Sequence, residues 1–270
     1  MTLPSSGAIS LNQIHVEAGG SSGSQASLND SDIRAMIGKG NNAQNRFNDY
    51  YSVSASTPSI SYRGRSTTTG NGFPAGYISL SSGTKVVVVC LQLAGSGNTY
   101  VNLGGSNMTL AAKVDTVTPN SGIWQAAYTS AIYYLTSSSS GSVYISGNGG
   151  SGRSSLTVYE ITGYNSATPY TTDTAQQTNL DYTAAVTVAS QYNGLTIGSV
   201  ISEDSPTQTG ISITNADSIE QLHLELASSH TSWYDAQTPS GNRTYTITQT
   251  PNNNVVSGST LFQITTASWK

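Results

Sequence analysis

From about Val53 onward the chain repeats one theme. Strand-length runs of Val, Ile, Thr and Tyr are divided by Gly-, Ser- and Asn-rich turns, with no helical segment between them. That succession constrains the fold more than any motif does. A parallel sheet needs a long crossover, usually a helix, between neighbouring strands. With none on offer the strands must pair antiparallel, and a core then requires two sheets face to face. The expected fold class is all-β: an antiparallel β-sandwich or jelly roll over residues 53–270, as one large sandwich or two smaller ones. Residues 85–94, 103–111, 123–135, 143–146, 156–162, 184–189, 195–202, 244–250 and 260–269 read as strands. In Glu220-Gln221-Leu222-His223-Leu224-Glu225-Leu226 the alternation is strict, so the leucines face a core and His223 faces out.

Composition narrows the partners. Charged residues are 9% of the chain, against roughly 25% in an average globular protein. The net charge is −4 with no run of either sign, so neither a nucleic-acid footprint nor a polybasic membrane anchor is expected. The longest apolar run, Val86 to Leu91, is strand-sized, so no membrane insertion is expected. The start, Met1-Thr2-Leu3-Pro4, lacks the basic and apolar regions of a signal peptide. The single cysteine, Cys90, excludes an internal disulfide and reads as a buried, inert thiol.

Residues 1–52 differ from the rest. A short repeat runs Ser10-Leu11-Asn12 to Ile14 and Gly19, then Ser27-Leu28-Asn29 to Ile33 and Gly38. Ser10 with Gln13, and Ser27 with Asp30, have N-cap spacing, and the glycines stand where short helices would stop. Two helical stubs of about two turns are expected, split by a flexible linker, Gly20-Ser21-Ser22-Gly23-Ser24. Helices that short are marginal alone, so their apolar side chains need a surface. Docking onto another protein would involve Leu3, Pro4, Ile9, Leu11, Ile14, Leu28, Ile33 and Ile37; folding back onto the following domain is the alternative.

No motif selects a reaction. Gly147 to Gly152 matches G-x-G-x-x-G, but a strand follows where a phosphate-binding helix must open, so the segment reads as a hairpin loop. Gly19 to Gly23 matches G-x-S-x-G without a nucleophile elbow and reads as linker. His15, His223 and His230 lack a third ligand at metal spacing and read as exposed. The acids Glu160, Glu203, Glu220 and Glu225 form no selectable catalytic pair. No catalytic residue, metal or cofactor is therefore expected. Aromatic residues remain. Tyr164, Tyr170, Trp233 and Tyr234, on loops 164–170 and 229–240, could stack on sugar rings. Loops 95–99 and 147–152 complete the candidate recognition end.

The stretch Leu3-Pro4-Ser5-Ser6-Gly7-Ala8-Ile9-Ser10-Leu11-Asn12-Gln13-Ile14 resembles the N-terminal leader of many tailed-bacteriophage virion proteins, and Ser27 to Arg34 resembles its second repeat. More loosely, Val101 to Thr109, Ile132 to Leu135, Gly194 to Gly198 and Thr266 to Lys270 are similar to β-sandwich domains that accompany such leaders. The resemblance implies a virion structural protein, first of all a tail-fibre or tail-tip component, with capsid decoration as the alternative. Its implied partners are other virion proteins and a host-surface glycan, and it transfers no catalytic residue. A glycan-binding adhesin module is the rival from another class. Poorly charged strand edges favour a homo-oligomer, and the common symmetry of phage appendages suggests a trimer.

Overall fold

A computed structural model describes residues 3–270 apart from 38, 40–42, 52–56, 96–98, 116–127, 151, 178–181, 192, 204–207, 225–227, 240 and 252–260. The chain is all-β and antiparallel behind a short helical N-terminus, as its patterning requires. Among the described residues seventeen strands fall into four sheets. The first nine are β1 (Ser59–Thr68), β2 (Gly76–Leu80), β3 (Lys85–Ala94), β4 (Tyr100–Leu103), β5 (Ser106–Asn107), β6 (Thr109–Asp115), β7 (Tyr128–Ser137), β8 (Gly141–Asn148) and β9 (Ser154–Thr162). They form an outer sheet I, in the order β2-β8-β4-β5, and an inner sheet II, in the order β1-β9-β3-β7-β6. The other eight are β10 (Thr171–Gln177), β11 (Thr183–Ser190), β12 (Gly194–Glu203), β13 (Gln208–Ile213), β14 (Ser218–Leu224), β15 (Ser228–Thr238), β16 (Gly241–Pro251) and β17 (Leu261–Trp269). These form an inner sheet III, β10-β17-β12-β15-β14, and an outer sheet IV, β11-β16-β13.

The two halves share one topology. Replacing β1, β9, β3, β7 and β6 by β10, β17, β12, β15 and β14 turns sheet II into sheet III strand for strand. The same substitution turns β2-β8-β4 into β11-β16-β13. Each half is thus a two-sheet sandwich with jelly-roll order, and the region 53–270 holds two of them. They stack through their inner sheets, giving the layers I–II–III–IV. Contacts across the middle are reciprocal: β7 meets β17 at Ser130 and Thr265 (3.0 Å), while β9 meets β15 at Tyr159 and Ser232 (2.9 Å). That reciprocity is the mark of a two-fold interface, here built within one chain.

Stacking explains the uninterrupted run in β3. Val87, Val89, Leu91 and Leu93 fill the core between sheets I and II, whereas Val86, Val88 and Cys90 face sheet III. A strand buried on both faces reads as continuous apolar sequence rather than as alternation. In the third core, between sheets III and IV, Trp233, Tyr245, Phe262 and Ile264 pack with Val186, Val188 and Ile247.

Two readings of the sequence change here. The segment 147–152 is followed by a strand as expected, yet it closes no hairpin: β8 belongs to sheet I and β9 to sheet II, so the glycines carry the chain between layers. Residues 229–240 were expected to be a loop but run almost entirely within strand β15. Their Ser and Thr side chains resemble loop composition only because β15 lies inside the stack, where Ser229, Thr231 and Ser232 are fully buried.

The N-terminal segment holds helix α1 (Leu11–Glu17), helix α2 (Ser31–Ala35) and a 3-10 turn at Phe47–Tyr50. Ser10 caps α1 in a capping box with Gln13, as its spacing predicts. In the second repeat Asp30 is the N-cap, and the Asp30 carboxylate instead accepts from the Ser27 backbone N–H (2.8 Å), one turn ahead of the helix.

Candidate functional site

Of the titratable groups singled out in the sequence, Glu160 and Cys90 are bound into the architecture, as is Asp235, which the sequence did not mark. Glu160 is 1% exposed on β9. Its carboxylate pairs with Arg63 and accepts from the Ser81 backbone N–H (2.8 Å) and hydroxyl (2.7 Å). Lys85 lies 4.0 Å away, with its ammonium donating to the carbonyls of Ser81, Gly83 and Ser139. On β15 the Asp235 carboxylate accepts from Arg243 and from the Tyr245 hydroxyl, both at 2.8 Å. Burial raises the Asp235 pKa, against the pull of those two donors. Cys90 is buried as expected, and burial pushes its thiol pKa up.

The histidines depart from expectation. His230 is buried in the layer between sheets II and III, where its Nδ1 meets the Ser155 hydroxyl at 2.8 Å. Burial alone drives its pKa down to about 3. His15 is buried in the N-terminal segment, with Nε2 at 2.7 Å from the Ser24 hydroxyl. Both read as exposed because their neighbours in sequence, Ile14 and Val16 for His15 and Ser229 and Thr231 for His230, carry no sign of the tertiary cover. The side chains of His223, Glu203 and Glu225 lie outside the described residues, as does most of the 95–99 loop. Among the described residues no three His, Cys, Asp or Glu side chains gather as a metal site would require.

The four aromatic candidates are not brought together. Trp233 is fully buried between sheets III and IV and cannot stack on a ligand. The residue faces inward because alternation along β15 turns it to sheet IV and Tyr234 to sheet II, where Tyr234 packs edge-on to Tyr159. Tyr164 packs against the same middle layer. Only Tyr170, 53% exposed, presents a ring to solvent. It lines a polar cleft of about 590 Å³ between the N-terminal segment and the second sandwich, shared with His15, Asp32, Gln191 and Lys270. Burial lowers the Lys270 amine pKa there, and the Asp32 carboxylate opposes that shift.

The docking set behaves as a unit of its own. Leu3, Ile14 and Ile33 are buried with Ala18 and Tyr50, and Ile9, Leu11, Leu28 and Ile37 pack against them. Pro4 is half-buried at the edge. The stubs therefore supply one another with the apolar surface that each lacks alone, instead of leaving it open. The linker is not loose: the Asn12 carboxamide oxygen accepts from the Gly23 backbone N–H (2.8 Å) and its amide donates to the Ser22 hydroxyl (3.3 Å). Val16 and Phe47 stay exposed on this segment.

One aromatic surface escaped the sequence reading. On sheet I, Tyr77 of β2 and Tyr144 of β8 are partners in register, with ring centroids 4.9 Å apart and planes tilted by 50°. They are 71% and 45% exposed, and Tyr100 of β4 adds a third open ring at 49%. The signal lay in the alternation: Ile78 and Leu80, and Val143 and Ile145, point into the core, which sends Tyr77 and Tyr144 outward. This face, a sheet carrying open rings, is the site best placed to meet a partner. Comparison with protein-family models, curated proteins and solved structures gives no match to this chain.

Proposed function

We propose that this protein is a non-enzymatic structural component of a tailed-phage virion, a tail-fibre or tail-tip protein that attaches through residues 1–52 and displays the stacked sandwiches outward for host-surface contact. The observation that carries the non-enzymatic part is the use to which four chemically capable groups are put. Glu160, Asp235, His230 and Cys90 sit inside the layers, and the carboxylates are already held by donors from their own fold. Acid–base catalysis needs groups within reach of a substrate. The virion part rests on the resemblance of residues 3–14, and of Ser27 to Arg34, to the leader of tailed-phage virion proteins. The compact N-terminal cluster, with Val16 and Phe47 open on its surface, supports an attachment role, and homo-oligomerisation belongs to the same proposal.

A cryo-EM map of the parent particle tests this reading. Density for the four-layer body on a tail appendage, with the N-terminal segment toward the particle, is the expected result. Absence of the chain from purified particles would sink the virion assignment. Release of reducing ends from host polysaccharide by the purified chain would sink the non-enzymatic one.

A further inference from the structure

The duplicated topology supplies an internal control for the outer face of sheet I. Sheet IV occupies the same place in the second sandwich, so its outer face shows what the fold alone asks of such a surface. There the outward positions carry Thr183 and Thr187 of β11, Thr244 and Thr246 of β16, and Ser212 of β13. These are plain strand formers with no aromatic ring. Sheet I, under the same architectural demand, places Tyr77, Tyr144 and Tyr100 outward. The rings are not needed to build the sheet, because its twin is built without them.

The chemistry of the face selects the partner. Along β8 the outward residues Tyr144, Ser146 and Asn148 form a row, with Tyr77 beside Tyr144 and Asn102 and Tyr100 beside Ser146 and Asn148. None is charged. The backbone N–H of Tyr100 donates to the Asn148 side-chain oxygen (2.9 Å), which fixes that end of the row. From the Tyr77–Tyr144 pair to Tyr100 is four residues along β8, about 14 Å at about 3.4 Å per residue. A protein interface core is enriched in methionine and arginine beside its aromatic residues, and neither stands among these outward residues. Here the aliphatic residues of β2, β4 and β8 are turned inward, as Ile78, Val101, Leu103, Val143 and Ile145 show.

We infer that the outer face of sheet I binds a neutral oligosaccharide of several sugar rings. Apolar C–H faces of the sugar would lie on Tyr77 and Tyr144 at one end and on Tyr100 at the other, while its hydroxyls meet Ser146, Asn102 and Asn148. An uncharged face offers no cation to a uronate or sialate and no anion to an amino sugar, so the complement in charge is a neutral glycan. The inference gives a ligand class to the host-contact part of the proposed function and does not depend on where the protein sits on a particle.

The test uses the full chain and a panel of neutral glucose, galactose and N-acetylglucosamine oligomers beside uronate-containing and sialylated ones. Saturable binding to a neutral oligomer is expected, weaker for its monosaccharide. The double variant Tyr77→Thr/Tyr144→Thr, which borrows the residue type of sheet IV to keep the strands intact, is expected to weaken it about tenfold. Tyr170→Ala, at the cleft by the N-terminal segment, is expected to leave it unchanged. No binding, binding confined to acidic glycans, or unchanged binding by the double variant would overturn the inference. So would a double variant that alters oligomeric state alone, which would make the face a subunit contact. Particle location is read separately by cryo-EM, so either reading can fail without the other.

Discussion

Mild acid should loosen the second sandwich through one residue. His230 is held neutral by burial between sheets II and III, with a pKa of about 3, whereas an unfolded chain gives a histidine about 6.5. The folded value is the lower one, so below pH 6.5 the unfolded state binds a proton that the folded state refuses. The stability tied to the neutral ring is complete above about pH 6.5 and is lost as pH falls from there toward 3. Between pH 7 and pH 5 the loss is about 2 kcal/mol, from about 1.4 kcal/mol for each pH unit that separates the solution from the unfolded-state pKa. No charged neighbour contributes to the shift, so the effect belongs to the ring and its cover. Urea unfolding followed by tryptophan fluorescence is a suitable assay, because Trp233 and Trp269 are both buried in the second sandwich. His230→Asn keeps a polar partner near Ser155 and cannot titrate. The variant should start less stable, yet lose about 2 kcal/mol less than wild type between pH 7 and pH 5. Equal losses in the two proteins would refute the reasoning.

Three further outcomes follow from packing. A Cβ on Gly198 would fall 2.0 Å from the Trp233 ring, so Gly198→Ala should cost at least about 1–3 kcal/mol, read as a lower urea midpoint. Trp233→Ala, at a fully buried ring, should cost about 3–5 kcal/mol rather than leave the fold intact, with loss of the Trp233–Tyr245 ring contact visible in near-UV circular dichroism; a melting temperature equal to that of wild type would contradict this. Cys90, buried with its thiol pKa raised, should resist a thiol reagent in the native protein and react stoichiometrically in denaturant.

Much of the fold class was legible because strand patterning is local. Alternation in residues 76–80 and 142–145 states which side chains enter the core, and the capping box at Ser10 states where α1 begins. The candidate site was legible in the same pattern, since Tyr77 and Tyr144 alternate with inward Ile78, Val143 and Ile145. Attention to loops concealed it. Trp233 misled for the converse reason: beside Ser232 and Tyr234 it looks like loop sequence, while the residues that cover it, such as Val186, Tyr245 and Phe262, come from distant strands.

The sequence by itself determined an antiparallel β protein with low charge, a capped helical N-terminus and an inert cysteine. Each follows from side-chain period, local hydrogen bonding or residue count. Only the tertiary structure decided that there are two sandwiches of one topology, stacked face to face. Strand order is set by partners such as Ser59 and Thr162, which are far apart in the chain, and the two halves reach the same order with different side chains. The middle layer is the clearest case. Ser130, Ser155, Ser199 and Ser232 are polar residues that any local reading sends to solvent, and each of their hydroxyls finds a partner on the opposite sandwich. Burial of a hydroxyl depends on what lies across from it, and one strand cannot specify that alone.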